Sequence, residues 1–550
     1  MSSPSEPSHA EPAPPSGWSI ESIQSLIVAF VLAMSFRSYV LEGFTIPTGS
    51  MAPTLMGAHL RLRSPFTGYE YPVDAGAVVD MLARDHGNPG RQIPLRDPML
   101  SPSMEDGEQT LGQLAAQIRS GDRVLVLKTL YPFATPKRFD VVVFKNPVDP
   151  IGDTQNYIKR LVGLPDEMLL LLDGDVFTGS PDAPGASALH IQRKPEYIQR
   201  AVWQKVFDQD YQPIDLARFE AAARRKWPGI PWSTPGWNTE DPRAWRWSSA
   251  SMAGLEWESS RRGINDWAPY NMLREVQAGG PFAPPIPVSD IRVAAAVQAD
   301  DWSRFRTELR MISRGNEFSW TIAEGRATVA MTRVGEEAPS RRESAPIAIA
   351  STPGGRAHEI EFWQVDQSMS IFVDGERVAH LDYDWSAQER LAMAFNGLSV
   401  EDYARNPMSR QPTPPKVDWS FEGTPLTLRR VRLDRDIYYR PGVLNPADQA
   451  ASNGPPIRGL AFATDPTSPA VLGSNQFLMC GDNSAASRDG RVWGRPHPIV
   501  KAQIGEETPF VVPRNLLLGK ACAVYFPSPV PMYIGGRNLV PDFGRLRFIR

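Results

Sequence analysis

Tyr157-Ile-Lys-Arg-Leu-Val-Gly-Leu-Pro-Asp166 opens as an alternating run. It is expected to form a strand with Lys159 on the face of Tyr157 and Leu161, and with Ile158, Arg160 and Val162 on the other. A lysine placed among apolar side chains loses the hydration that stabilises its charge. Its pKa then falls from about 10.4 toward the range where the amine can accept a proton. The partner such a base would serve stands upstream in Phe44-Thr-Ile-Pro-Thr-Gly-Ser-Met-Ala-Pro-Thr-Leu55. Pro47 biases Ile46 to extended geometry and Gly49 permits a tight turn, so Ser50 is expected at a strand end, where a nucleophile can be presented. A hydroxyl needs a neighbouring base to attack at neutral pH, and the chain has no Gly-x-Ser-x-Gly elbow to provide another solution. Lys128 and Lys145 also follow strand-like runs but have no companion motif, and are read as solvated strand ends.

Three further blocks occur in order: Ser120-Gly-Asp-Arg-Val-Leu-Val-Leu127, Arg138-Phe-Asp-Val-Val-Val-Phe144 and Gly481-Asp-Asn-Ser-Ala-Ala-Ser-Arg-Asp-Gly-Arg-Val-Trp-Gly494. With the Ser50 and Lys159 blocks, the set resembles the type I signal peptidases, membrane-anchored Ser/Lys proteases that remove secretory leader peptides. The resemblance covers about residues 20–57, 118–178 and 478–526. It implies Ser50 as nucleophile and Lys159 as general base, with the Thr48 hydroxyl and the Ser50 N–H forming the oxyanion hole. It further implies Ser487 as the hydroxyl that orients the lysine, and Asp482, Asp489, Arg491 and Arg160 as structural charges around the site. Gly490 departs from the family's more usual Asp-Ser-Arg triplet, which touches neither member of the dyad. The implied reaction passes through an acyl-enzyme. Its substrates are secretory preproteins with small residues in an Ala-x-Ala pattern after an apolar helix, bound as an added strand.

The rest of the chain is organised around those blocks. Residues 1–17 are Pro- and Ser-rich and read as a disordered tail. Residues 18–41 read as a short transmembrane anchor in the cell membrane, with Trp18 and Tyr39 as interfacial aromatics. The resemblance puts the catalytic part outside the cytoplasm, although positive-inside counting, with Arg37 after the span and no Lys or Arg before it, points weakly the other way. The catalytic core is expected as 42–57, 118–179 and 478–550. It is interrupted by a first insertion at 58–117, a Trp- and Pro-rich segment at 180–287, a β-sandwich at 288–440 and a return linker at 441–477. Many short alternating runs, such as His358-Glu-Ile-Glu-Phe-Trp-Gln-Val365 and Met369-Ser-Ile-Phe-Val373, carry the sandwich expectation. The hairpin through Val373-Asp-Gly375 resembles laminin G and concanavalin-like jelly rolls, which implies glycan or protein contact through that domain. Helices are expected near 194–208 and 213–226, and eight tryptophans from Trp203 to Trp267 are read as packing anchors rather than a lipid or sugar surface.

Composition bounds the alternatives. The 550 residues include 53 prolines, which argues for a mainly β fold, and 58 basic against 62 acidic side chains give a net charge of −4, without the basic footprint of a nucleic-acid partner. Ser64-Pro-Phe-Thr-Gly-Tyr69 has the outline of a zinc knuckle but offers hydroxyls where thiolates are needed, so no metal and no cofactor are expected. The two cysteines, Cys480 and Cys522, could form one bridge. A catalytically silent, membrane-anchored binding or scaffold protein, with the sandwich as its working part, is the rival expectation. A repressor-type autoprotease is disfavoured by the apolar N-terminal segment.

Overall fold

In the computed structural model, residues 20–84, 88–100, 105, 107–149, 156–213, 215–278, 284–347, 356–449, 454–529 and 541–550 are described, and the expected tail at 1–17 lies outside them. The chain is mainly β. Its eight-stranded sheet runs Leu41–Thr45, Arg123–Leu127, Leu517–Phe526, Val141–Lys145, Asn156–Gly163, Gln476–Cys480, Val512–Pro513, with Arg547–Phe548 added on Leu517–Phe526. Period-two alternation sorts these strands between two cores. Val141, Val143 and Ile158 pack with Val124, Val126 and Val524 on one face; Val142, Phe144 and Leu161 pack with Phe477, Met479 and Trp493 on the other. Burial on both sides is why Val141–Phe144 reads as an unbroken apolar run.

A second sheet orders His190–Ile191, Asp175–Gly179, Glu167–Leu172 and Ala470–Leu472. Its central hairpin turns on Asp173 (φ 48°) and Gly174 (φ 90°), the left-handed pair that a two-residue connection demands. Beyond it two seven-stranded sheets enclose one core that includes Trp232, Trp245, Trp257, Leu309, Trp320, Phe362, Trp419 and Leu433. The expected division at 287/288 does not follow the sheets: Gln204–Asp208 and Trp245–Trp247 pair with Leu426–Arg435, and Trp232–Ser233 and Ala253–Trp257 extend the opposite sheet. The Trp-rich segment is therefore built into the sandwich. None of its eight tryptophans is exposed, as packing anchors require. The two expected helices shorten to Glu196–Val202 and Leu216–Ala223, the first because residues 204–208 are recruited as a sheet edge.

The first insertion forms two hairpins, His59–Arg63 with Glu70–Asp74 and Gln92–Leu95 with Gly107–Thr110. Its knuckle is closed by hydrogen bonds. Ser64 Oγ accepts from the Phe66 and Thr67 N–H groups at 3.3 Å each, Thr67 Oγ1 donates to the buried Asp97, and Met99 N–H donates to the same carboxylate at 2.7 Å. Burial pushes the Asp97 pKa up, with those donors opposing the rise.

Buried charge joins the Asp173–Asp175 turn to the sandwich. Arg390, at 0% exposure, donates to Asp173 (2.7 Å) and Asp175 (2.8 Å), and Arg314 bridges Asp173 (2.8 Å) and Asp290 (2.7 Å). Lys194 pairs with Asp366 (2.5 Å) and Asp436 (2.8 Å). Four of these carboxylates, Asp175, Asp290, Asp366 and Asp436, converge closely enough to hold a metal, but the three side-chain cations already lie among them, so the cluster is read as an ion-pair lock. Helix Ile20–Tyr39 leaves Leu26, Ile27, Val28, Phe30, Val31 and Leu32 exposed. Among the described residues no helix is long and apolar enough to cross a membrane, so the expected span is not met by length and hydropathy.

Candidate active site

The Ser50 turn is fixed by the second block. After strand Leu41–Thr45 the chain passes Pro47 and winds into the 3₁₀ turn Gly49–Met51. Ile46 N–H donates to Asp122 O (2.9 Å), Asp122 N–H to Met56 O (2.9 Å) and Met56 N–H to Asp122 Oδ2 (3.1 Å), clamping both flanks of the turn. The clamp needs Gly121, since a Cβ there would lie 1.9 Å from Ile46 O. Met51 and Leu55 are fully buried beneath the turn and leave Ser50 partly open.

Lys159 reaches that serine from strand Asn156–Gly163. Its Nζ lies 2.5 Å from Ser50 Oγ, 3.2 Å from Ile158 O and 5.8 Å from the Tyr157 ring centroid. The side chain shares the Tyr157 and Leu161 face, as alternation demands, and the residue is 3% exposed. Burial brings its pKa down to about 8, and the Asp489 and Asp482 carboxylates limit the fall. At pH 7 roughly a tenth of the amine is then free base.

The block at 481–494 wraps the pair. Asp482 accepts a two-pronged bond from Arg160 (2.8 and 2.7 Å) and one from Thr54 Oγ1 (2.5 Å). Asp489 accepts from Gly481 N–H (2.9 Å) and from Arg491 Nε and Nη2 (2.8 Å each). Burial alone would raise the Asp489 pKa, but the Arg491 guanidinium and these hydrogen bonds hold it below the usual carboxylate value. Arg491 continues to Arg440 O (3.0 Å) and Ser484 Oγ (2.7 Å). Gly490 has a packing reason: a Cβ there would lie 2.6 Å from Leu478 and 3.0 Å from Met479 O, so a serine does not fit.

Two expected contributors stand differently. Thr48 is exposed and its hydroxyl makes no capping bond to the turn that carries Ser50. Ser487 Oγ lies beside Asp489 without a hydrogen bond of good geometry, and it makes none to Lys159. It sits instead over Gly481, where an added Cβ would come within 2.2 Å of it and 2.4 Å of Ser50 O. Both cysteines are free: Cys480 is buried and Cys522 Sγ donates to Leu125 O (3.3 Å). Sequence reading missed Asn483, whose N–H donates to Ser50 O (3.1 Å) and whose Nδ2 donates to Gly49 O (3.1 Å). Its place inside a quoted block, between Asp482 and Ser484, was the available signal.

Three solved structures are similar to this chain at low scores. The Crh5 transglycosylase in complex with NAG is 10% identical, over 38% of this chain and 78% of that one, with a TM-score of 0.22. The carbohydrate-binding module CBM66 from Bacillus subtilis is 9% identical over 37% and 95%, with a TM-score of 0.20, and the galectin LEC-6 of Caenorhabditis elegans is 11% identical over 27% and 82%, with a TM-score of 0.17. Likeness at that level carries no ligand or activity across. The family comparison falls on three of the five quoted blocks: residues 110–178, the stretch that contains Lys159 and Arg160, match the family described as signal peptidase, peptidase S26, while Ser50 and residues 481–494 lie outside the match.

Proposed function

We propose that this chain is a serine endopeptidase that removes leader peptides from exported preproteins with Ser50 as nucleophile and Lys159 as base. The observation that carries the reading is the 2.5 Å approach of Ser50 Oγ to a buried lysine whose pKa is brought down to about 8. The free amine takes the hydroxyl proton as Ser50 Oγ bonds to the scissile carbonyl carbon, and the ammonium returns it to the leaving amine. Water, deprotonated by the same amine, then cleaves the acyl-enzyme. The Ser50 N–H and the Thr48 hydroxyl are assigned as donors to the developing oxyanion, a kind of contact that contributes about 3–4 kcal/mol per donor to the transition state. Asp482, Asp489, Arg160 and Arg491 hold the base and the nucleophile in register, and Ser487 is assigned to orienting the amine once substrate fills the site. The exposed apolar side chains of helix Ile20–Tyr39 support attachment of the enzyme to the bilayer on the extracytoplasmic side, where its substrates emerge.

The test uses the full chain in detergent with a preprotein carrying Ala-x-Ala after an apolar helix. Cleavage after the second alanine is expected, and its loss when both alanines become bulky. No cleavage at any pH would sink the reading. Because the protonated lysine is inactive, kcat/KM is expected to rise about tenfold per pH unit below about 8 and to level off above it. A rate flat from pH 6 to 9 would remove Lys159 from the base role.

A further inference from the structure

The inserted region reaches into the site. Turn Pro269–Asn271 and helix Met272–Ala278 lie outside all five catalytic blocks, yet Asn271 and Asn483 exchange two amide hydrogen bonds. Asn271 Nδ2 donates to Asn483 Oδ1 at 2.8 Å, and Asn483 Nδ2 donates to Asn271 Oδ1 at 2.9 Å. Both residues are buried, and Asn483 is the one that holds the Gly49 and Ser50 carbonyls. Tyr270 closes the other side: a Cβ added at Gly49 would lie 2.1 Å from its ring. Without Asn271 the Asn483 amide loses its lock. Misplacing a nucleophile by about 1 Å can cost on the order of 10²-fold in rate.

The same helix walls a cavity of about 520 Å³ that opens beside the catalytic loop. Arg274, Gln277, Arg440, Ser487, Arg488 and Arg491 line it, and among the described residues no carboxylate does. The acids that pair with three of these arginines, Asp74, Asp266 and Asp489, are buried in the surrounding structure. The cavity therefore exposes Arg274 and Arg488, while Arg440 and Arg491 are buried against their acids. Its lining residue Ser487 shares the space over Gly481 with Ser50 O, which puts one edge of the cavity beside the Ser50 turn.

We propose that residues 269–278 of the insertion are a working part of the peptidase site, with Asn271 positioning the Ser50 turn through Asn483 and the arginine-lined cavity receiving a carboxylate-bearing stretch of the substrate. This rests on the Ser50/Lys159 reading. In the full chain, N271A is expected to lower kcat about tenfold or more with KM within about twofold. In an S50A background, N271A is expected to raise amide hydrogen exchange at residues 44–56 while the sandwich strands exchange as before. Unchanged kcat, unchanged exchange at 44–56, or exchange raised along the whole chain each overturns the positioning role. The exchange measurement needs no turnover, so it reads the positioning role even if no preprotein is cut, an outcome that instead removes the peptidase reading.

For the cavity, glutamate pairs and glutamine pairs are stepped along both sides of the cut bond in the preprotein. At one step glutamate is expected to lower KM about fivefold relative to glutamine, a difference that R274Q and R488Q each reduce and high salt removes. No preferred step, or a preference that survives both variants, overturns the carboxylate assignment.

Discussion

Ser50→Ala and Lys159→Met are each expected to lower kcat/KM for preprotein cleavage by about 10⁴-fold or more, and the double variant no further, because groups that act as a unit are not additive. The two differ in what else they change. S50A removes a partly open hydroxyl and leaves the fold as it is. K159M removes an amine buried to 3% exposure and replaces it with an uncharged chain of similar length, so the variant is expected to be at least as stable as the parent toward denaturant. A variant that is inactive yet no less stable separates loss of the base from loss of structure. Cleavage retained within about tenfold in either single variant removes the dyad.

Arg160→Met is expected to cost about 3–5 kcal/mol, the second large effect. Arg160 has no exposure and gives two hydrogen bonds to Asp482 and one each to Phe139 O (2.8 Å) and Arg550 O (3.2 Å). Its removal leaves a carboxylate at 2% exposure with, among the described residues, only Thr54 Oγ1 as a side-chain donor. Urea unfolding followed by tryptophan fluorescence is the measurement. Adding Asp482→Leu to Arg160→Met is expected to recover part of the lost stability, because it removes the uncompensated charge. If the double variant is as unstable as the single one, the cost lies in the lost backbone bonds and not in the ion pair.

The catalytic blocks were legible because each is local chemistry. Val141–Lys145 and Asn156–Gly163 announce themselves through apolar runs and alternation, and Asp173-Gly174 through the positive φ its turn requires. The sandwich was legible as a class from repeated short strands, but its membership was not. Trp245–Trp247 is three residues long, and only pairing with Leu426–Arg435, far along the chain, makes it a strand. The expected role of Ser487 rested on a family pattern, and the position of its hydroxyl over Gly481 depends on a packing detail that the pattern does not encode.

By itself the sequence determined which residues could do the chemistry: a serine on a Gly-permitted turn, a lysine on an apolar strand face, and acids and arginines in a short downstream block. Those properties follow from residue type and from neighbours a few positions away. The tertiary structure alone decided that Ser50 and Lys159 meet at 2.5 Å, that burial brings the lysine to about 8, and that Asn271 from the insertion hydrogen-bonds Asn483 beside the Ser50 turn. Contacts between residues hundreds of positions apart depend on how sheets stack and where chain segments return, and no local pattern records that.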